Sequence, residues 1–180
     1  MKLAGEQTLS APREQVWELF NDPDRLSKLV PGLEKLEVLG PDVFAGTINV
    51  GIAAVKGSYS GKIKLEDKRP PEHYKMLVDG KGKMGFVKGS GTLGLIARGP
   101  NETLVNYAGD VQVGGPLQQV GQRLIESAAK MMLGQFFAAA EAEVQAHAHG
   151  AVARQGILIN FWRYLVRLIR GLFHGTLVRH

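Results

Sequence analysis

The sequence contains no cysteine, which excludes disulfide bonds, thiol nucleophiles and cysteine-ligated metals. Histidine is also scarce, with five in all, and only His73 precedes residue 147. His73 follows a Pro-Pro-Glu turn and is expected to face solvent. His147 and His149 have the spacing of a ligand pair, but no third histidine supports them and a solvated linker is expected there. We therefore predict no catalytic residue and no metal site.

Acidic residues are absent from one region, residues 151–180, which holds five arginines. Residues 1–150 contain 17 Lys and Arg against 17 Asp and Glu, so the net charge of +5 belongs to the C-terminal tail. A main domain without net charge argues against nucleic acid as a partner. The N-terminus has no apolar core of the signal-peptide kind, so we expect a cytoplasmic location.

Long uninterrupted apolar runs are also missing, even from the tail segment 156–175. Polar residues recur there at helical spacing, from Asn160 through three arginines to His174, and the rest of the helix is apolar. A membrane-spanning helix, a buried core helix and a helix in a partner's groove are alternatives. A basic amphipathic helix on the anionic inner face of the cytoplasmic membrane fits best. The predicted membrane-binding residues are Phe161, Trp162, Arg163, Leu165, Arg167, Leu168, Arg170, Leu172 and Phe173.

The first 145 residues have the pattern of one α+β domain. A weak strand at 2–9 precedes a helix that Ser10 and Pro12 are expected to begin, and Asp22 is expected to cap a second helix ending near Val30. Turn signals then separate six antiparallel strands, and one long helix and a linker follow. The predicted strands are 33–39, 42–52, 55–67, 73–82, 85–98 and 103–113; the long helix is Leu117–Gln145 and the linker is 146–155.

Glycine is abundant in the predicted strands, as at Gly46, Gly61 and Gly80. Such glycines mark bulges and strong bending, or a place where a ligand approaches the backbone, and the pattern leaves both interpretations open. A helix lying across the sheet leaves a natural pocket between them. The predicted ligand-binding residues are Phe20, Leu29, Val50, Ile52, Tyr59, Phe86, Val87, Tyr107, Leu117, Val120, Leu124, Ala128 and Met131.

Three stretches resemble, in order, the G-subunit family of carbon monoxide dehydrogenase: VWELFNDPDRLSKLVPGLEKLE (16–37), KGSYSGKIKLED (56–67) and GPLQQVGQRLIESAAKMMLGQFF (115–137). That family is part of the START-like helix-grip (SRPBCC) superfamily. The resemblance implies a curved antiparallel sheet around a long C-terminal helix, with a hydrophobic cavity. It also implies an accessory protein that brings an aerobic molybdenum-containing CO dehydrogenase or related hydroxylase to the membrane or to the quinone pool.

The sequence is therefore compatible with two functions. The first is a non-catalytic accessory protein without a covalent cofactor, which binds a hydrophobic small molecule such as a respiratory quinone or isoprenoid lipid. Its partners would be the anionic membrane and the molybdenum enzyme. The second is a cyclase, dehydratase or hydrolase of the polyketide cyclase-like superfamily, because a fold does not fix a function. A buried Asp or His with a perturbed pKa in the pocket would favour the second.

Overall fold

The computed structural model describes the backbone of residues 1–52 and 55–172 and the side chains of residues 1–52 and 55–147. The chain divides into two units, Met1–Val144 and Gln145–His180. The elements are β1 (Lys2–Leu9), α1 (Arg13–Asn21), α2 (Pro23–Leu29), β2 (Leu33–Gly40), β3 (Val43–Val50), β4 (Gly57–Arg69), β5 (His73–Gly82), β6 (Gly85–Gly99), β7 (Glu102–Gly114), α3 (Pro116–Gln119) and α4 (Gln122–Leu172).

The seven strands form one antiparallel sheet in the order β1-β7-β6-β5-β4-β3-β2. Strands β2 to β7 follow one another as a meander, and β1 pairs with β7. This confirms the predicted α+β helix-grip fold class. The six predicted meander strands agree with the observed bounds to within two residues, because each turn between them is set by local Gly, Pro and Asn chemistry.

The two short helices begin differently. As predicted, Asp22 caps α2: its carboxylate accepts hydrogen bonds from the backbone amides of Asp24 at 2.9 Å and Arg25 at 3.2 Å. The prediction that Ser10 begins α1 is wrong, because the residue before that helix is Pro12, without a side-chain cap. The backbone amide of Ser10 instead donates to the Glu141 carboxylate at 2.9 Å.

The helix predicted as a single element from Leu117 is interrupted at Gly121, where φ is +94°. Glycine adopts this left-handed conformation without the steric cost that a side chain brings. The interruption separates α3 from α4 and changes the helical phase, so Leu124 and Met131 of the predicted buried stripe are 56% and 51% exposed. The helical backbone of α4 includes 146–155, where a linker was expected. The alanines of that stretch favour helix.

Two clusters of buried side chains lie on the helix-facing side of the sheet, here called the inner face. The α1 cluster joins α1, α2 and α4 to β5, β6 and β7 through Phe20, Leu29, Tyr74, Leu93, Val105 and Phe137, among others. The α3 cluster consists of Val50, Val55, Tyr59, Leu117, Ile125 and Ala128. The clusters fix the helices over different parts of the inner face.

Candidate functional site

A row of three glycines crosses the inner face. The antiparallel register sets Gly46 of β3 opposite Gly61 of β4, and Gly61 opposite Gly80 of β5. Directly paired residues share a face, and residues two apart on a strand share it too. Because Tyr59 is buried on the inner face, Gly61 and its two partners lie on that face. Three neighbouring strands therefore present bare backbone there.

The glycines of this row meet different surroundings. A Cβ atom at Gly61 would lie 2.5 Å from the carbonyl oxygen of Asp79, so the close approach of β5 requires glycine there. A Cβ at Gly80 would find no heavy atom nearer than 3.8 Å, at the carbonyl oxygens of Ser60 and Val87. Gly61 thus serves the bending of the sheet, whereas Gly80 leaves room above the backbone. Bending thus accounts for Gly61, and space for a ligand stays a prediction at Gly80.

The next row of the inner face carries apolar side chains that no element fully covers. The register runs from Phe44 through Ile63, Val78 and Gly89 to Val111. Phe44, Val78 and Val111 are half-buried, and Ile63 is 37% exposed. We call the two rows together the apolar floor: Gly46, Gly61, Gly80, Phe44, Ile63, Val78, Gly89 and Val111. This uncovered apolar surface has the chemistry of a binding site for a hydrophobic molecule.

The phenol of Tyr59, in the row next to the glycine row, is already hydrogen-bonded. The Tyr59 hydroxyl donates to the carbonyl oxygen of Val55 at 3.1 Å. Burial raises the pKa of Tyr59, so its phenol stays neutral at physiological pH. Thr103, buried near the start of β7, lies eight residues along that strand from Val111, and its hydroxyl donates to the carbonyl oxygen of Ala11 at 2.7 Å. Both hydroxyl hydrogens are therefore already used within the protein.

Aromatic rings of the α1 cluster lie on the inner face, on the opposite side of the apolar floor from the α3 cluster. Tyr107 stacks on Phe137 with ring centroids 5.4 Å apart, and Phe136 meets Phe137 edge to face at 5.3 Å. A Cβ atom at Gly5 would overlap the Tyr107 hydroxyl, so the ring lies over the β1 backbone. These contacts fix the rings of the α1 cluster as a wall beside the apolar floor.

Ten of the thirteen predicted ligand-binding residues belong to the two clusters or pack against them. The α3 cluster contains Val50, Tyr59, Leu117 and Ala128, with Ile52, Val87 and Val120 packed against it; the α1 cluster contains Phe20 and Leu29, with Tyr107 packed against it. The structure thus brings these residues to the helix-facing side of the sheet, in two groups. Whether they bind a ligand remains a prediction.

The other three residues, Phe86, Leu124 and Met131, are exposed. Phe86 precedes Val87 in β6, and adjacent strand residues point to opposite faces. A Cβ atom at Gly114, the partner of Phe86, would overlap the Phe86 ring, which therefore lies on the outer face. Leu124 and Met131 follow the phase change at Gly121.

Sequence reasoning also missed residues. It did not select Phe44, Ile63, Val78 and Val111, although all four lie in predicted strands. Ile63 and Val111 alternate with polar neighbours, which marks their face, but only the cross-strand register shows that all four form one row beside the glycines.

The predicted membrane-binding side chains, Phe161 to Phe173, lie outside the described side chains, and their role stays a prediction. Among the residues that the structure describes, no helix combines the length and apolar character that crossing a membrane requires. The same part of the chain contains no group of three His, Asp or Glu residues arranged to hold a metal ion.

Comparison with known proteins places this geometry in a family. The family model for CoxG, described as the G-subunit of carbon monoxide dehydrogenase, matches residues 5–145. A crystal structure of a conserved protein from Geobacillus kaustophilus is 36% identical, with a TM-score of 0.79 over 81% of this chain and 96% of that one. No match was found among curated proteins.

Two more distant structures share the fold. A START superfamily protein from Mycobacterium smegmatis is 15% identical with a TM-score of 0.65, covering 81% of this chain and 97% of that one. The Zhui aromatase/cyclase from Streptomyces sp. R1128 is 15% identical with a TM-score of 0.63, covering 82% and 95%. At such identities the similarity shows the START-like fold alone.

Proposed function

Because this chain belongs to the CoxG family of carbon monoxide dehydrogenase, we propose that it is a non-catalytic accessory protein that binds a hydrophobic molecule. We further propose that it links an aerobic CO dehydrogenase, or a related molybdenum hydroxylase, to the cytoplasmic membrane. The observation that carries the proposal is the apolar floor, an uncovered apolar surface between two buried clusters.

The floor favours a ligand with a flat, uncharged part. Bare backbone at Gly46, Gly61 and Gly80 provides a level surface, and Ile63 and Val78 flank it with hydrocarbon. A quinone ring or a section of an isoprenoid chain satisfies both conditions, because each is apolar and thin. Removal of such a group from water contributes roughly 25 cal/mol for every Å² of apolar surface buried.

The polar groups of the site support binding rather than acid–base chemistry. Proton transfer needs a titratable side chain within hydrogen-bond reach of the ligand, with a pKa near the working pH. The Tyr59 phenol has a raised pKa and already donates to Val55. No described carboxylate or imidazole is classed as buried. The cyclase or hydrolase alternative therefore has no specific observation in its favour.

The tail is proposed as the membrane contact. Its arginines at 163, 167 and 170 share one helical stripe, and each should contribute about 1 kcal/mol at an anionic surface. Changing all three to Gln should therefore weaken binding to anionic vesicles by about 3 kcal/mol. Neutral vesicles are the control, since equal binding of the wild type to both kinds would exclude this electrostatic contribution. A location on the inner face of the cytoplasmic membrane follows from the proposal.

The ligand can be tested directly. Full-length protein is purified from a host that makes quinones and analysed by native mass spectrometry, with organic extraction of the same sample. We expect a bound species whose mass and extract identify a quinone or long isoprenoid. Protein that is empty in both measurements, and that also fails to take up added quinone, would contradict the carrier role.

A further inference from the structure

One end of the sheet combines exposed basic and apolar residues from four connections of the chain. Strands β3, β5 and β7 end there, and β4 and β6 begin there, with α3 and the start of α4 beside them. The backbone amide of Leu117 donates to the carbonyl oxygen of Met84 at 2.6 Å, which ties α3 to the β5–β6 turn. We call this region the α3 end. Its basic residues are Lys56, Lys81, Lys83 and Arg123, and its apolar residues are Ile52, Met84, Phe86, Val120 and Leu124.

The α3 end carries a net positive charge, because the acidic residues at its border, Glu34 of β2 and Glu126 of α4, are engaged by Asn49 and Lys130. All four basic side chains are exposed, and none of them makes an ion pair with another described residue. The sequence segments that build this end, 50–60, 80–89 and 111–125, contain no Asp or Glu. Since residues 1–150 carry equal numbers of acidic and basic residues, this end is a local concentration of positive charge in a domain without net charge.

Apolar side chains are exposed within this basic surface. Leu124 is 56% exposed and Phe86 is 41% exposed, while Ile52, Met84 and Val120 are half-buried against the α3 cluster. The left-handed Gly121 sets the phase of α4 that turns Leu124 outward. Exposed apolar groups bordered by Lys and Arg fit the interface of an anionic bilayer, where hydrocarbon and negative headgroups lie within a few ångströms of each other.

We propose that the α3 end contacts the anionic membrane surface directly, with Leu124 among the upper acyl chains and the four basic residues over the headgroups. This contact goes beyond the proposed function, because residues of the main domain make it and it does not depend on the tail. The α3 cluster adjoins the apolar floor through the Tyr59 and Val87 rows of the sheet. If the floor binds a membrane-soluble molecule, as proposed above, this contact places that site beside the bilayer.

The absence of cysteine allows a single-site label to test the contact. Leu124→Cys in the full-length chain carries an environment-sensitive fluorophore, and Ile96→Cys is the matched control. Ile96 is 46% exposed near the opposite end of β6. With vesicles of phosphatidylcholine and phosphatidylglycerol that contain a spin-labelled lipid, we expect quenching at position 124 and little at position 96. Equal quenching at both positions, or none at 124, would overturn the proposal.

A charge comparison separates this contact from the tail. In full-length protein carrying Leu165→Glu and Leu168→Glu, the test variant adds Lys56→Gln, Lys83→Gln and Arg123→Gln. The control variant adds Lys64→Gln, Arg69→Gln and Arg98→Gln, which are exposed positions towards the opposite end of the sheet. Both variants lose three charges, so non-specific attraction changes equally.

We expect vesicle binding at low ionic strength to fall about fivefold per charge in the test variant, on the order of 100-fold in total. The control variant should lose much less. Equal losses of vesicle binding in the two variants would refute the contact, and so would an absence of binding before the charges are removed. A label at position 124 that responds to an acidic protein but not to vesicles would also refute it. If the tail does not bind vesicles, the expected quenching at position 124 and the expected difference between the charge variants are unchanged. Failure of the tail's proposed role can therefore be distinguished from failure of the α3-end contact.

Discussion

Filling the apolar floor at Gly80 should block the ligand without harming the fold. A Cβ atom at this position would lie 3.8 Å from its nearest neighbours, which is ordinary van der Waals contact. The backbone of Gly80 is not in the left-handed region, so a β-branched residue can adopt its conformation. Gly80→Val therefore adds three carbons to the inner face between Gly61 and Val87, with its Cβ clear of the backbone.

The expected effects on stability and binding have opposite signs. Valine has a higher strand propensity than glycine and restricts the unfolded chain, so the free energy of unfolding should stay equal or rise by up to about 1 kcal/mol. A ligand lying on the floor meets extra atoms where it found bare backbone. Overpacking of this kind costs roughly 1–3 kcal/mol, which corresponds to a loss of affinity between about fivefold and 150-fold.

The assay compares quinone occupancy by native mass spectrometry and affinity by titration calorimetry, with stability from urea unfolding. Gly94→Val is the matched control, because a Cβ there meets nothing nearer than 4.0 Å, yet Gly94 alternates with the buried Leu93 and Leu95 and so faces outward. The control should bind like wild type. If Gly80→Val binds as tightly as Gly94→Val, the ligand does not lie on the floor as we define it.

Three further predictions concern the tail, a close packing contact and a buried phenol. Leu165→Glu with Leu168→Glu should remove most binding to anionic vesicles in a flotation assay at physiological ionic strength, where the α3 end alone binds only weakly, while near-ultraviolet circular dichroism stays unchanged. Undiminished binding under these conditions would exclude the tail as the main contact. Gly5→Ala should lower the free energy of unfolding by roughly 1–3 kcal/mol, because its methyl group overlaps the Tyr107 ring; Gly40→Ala, where a Cβ meets nothing within 4 Å, is the control. Burial raises the pKa of Tyr74, so the folded state holds its proton above the unfolded pKa of about 10 and stability should fall as pH rises past that value. Tyr74→Phe should reduce that slope in urea unfolding measured at several alkaline pH values, and an unchanged slope would contradict the reasoning.

Local signals in the sequence predict most of the architecture. The cap at Asp22, the prolines and glycines at turns and the alternation in β4 depend on interactions within a few residues, so they are readable without the fold. The alternation places Tyr59 and Leu65 on one face and Ser58 and Lys64 on the other. Such local rules are sufficient for a meander, because each strand pairs with the next one along the chain.

Features that depend on the rotation of a helix about its axis, or on the pairing register of the strands, could not be predicted from the sequence. A glycine within a helical pattern is compatible with a continuous helix, so the interruption at Gly121 was not predicted, and Leu124 and Met131 were assigned to the wrong side. Alternation along β6 places Phe86 and Val87 on opposite faces, so only one of these two predicted residues can face the helices. The glycine row requires the pairings of three strands at once, which depend on long-range contacts.

The strand register that aligns the glycines of the apolar floor also places the polar residues of the same strands on the opposite face of the sheet. Ser60 and Lys62 flank Gly61 along β4, and Asp79 precedes Gly80 in β5, yet alternation turns all three to the outer face. A shift of one residue in pairing would be needed to bring them to the floor, and it would turn the buried Tyr59 to solvent. The side chains able to transfer protons and the surface able to hold a ligand thus occupy opposite sides of one sheet. This separation supports a role in which the bound molecule is held without chemical change.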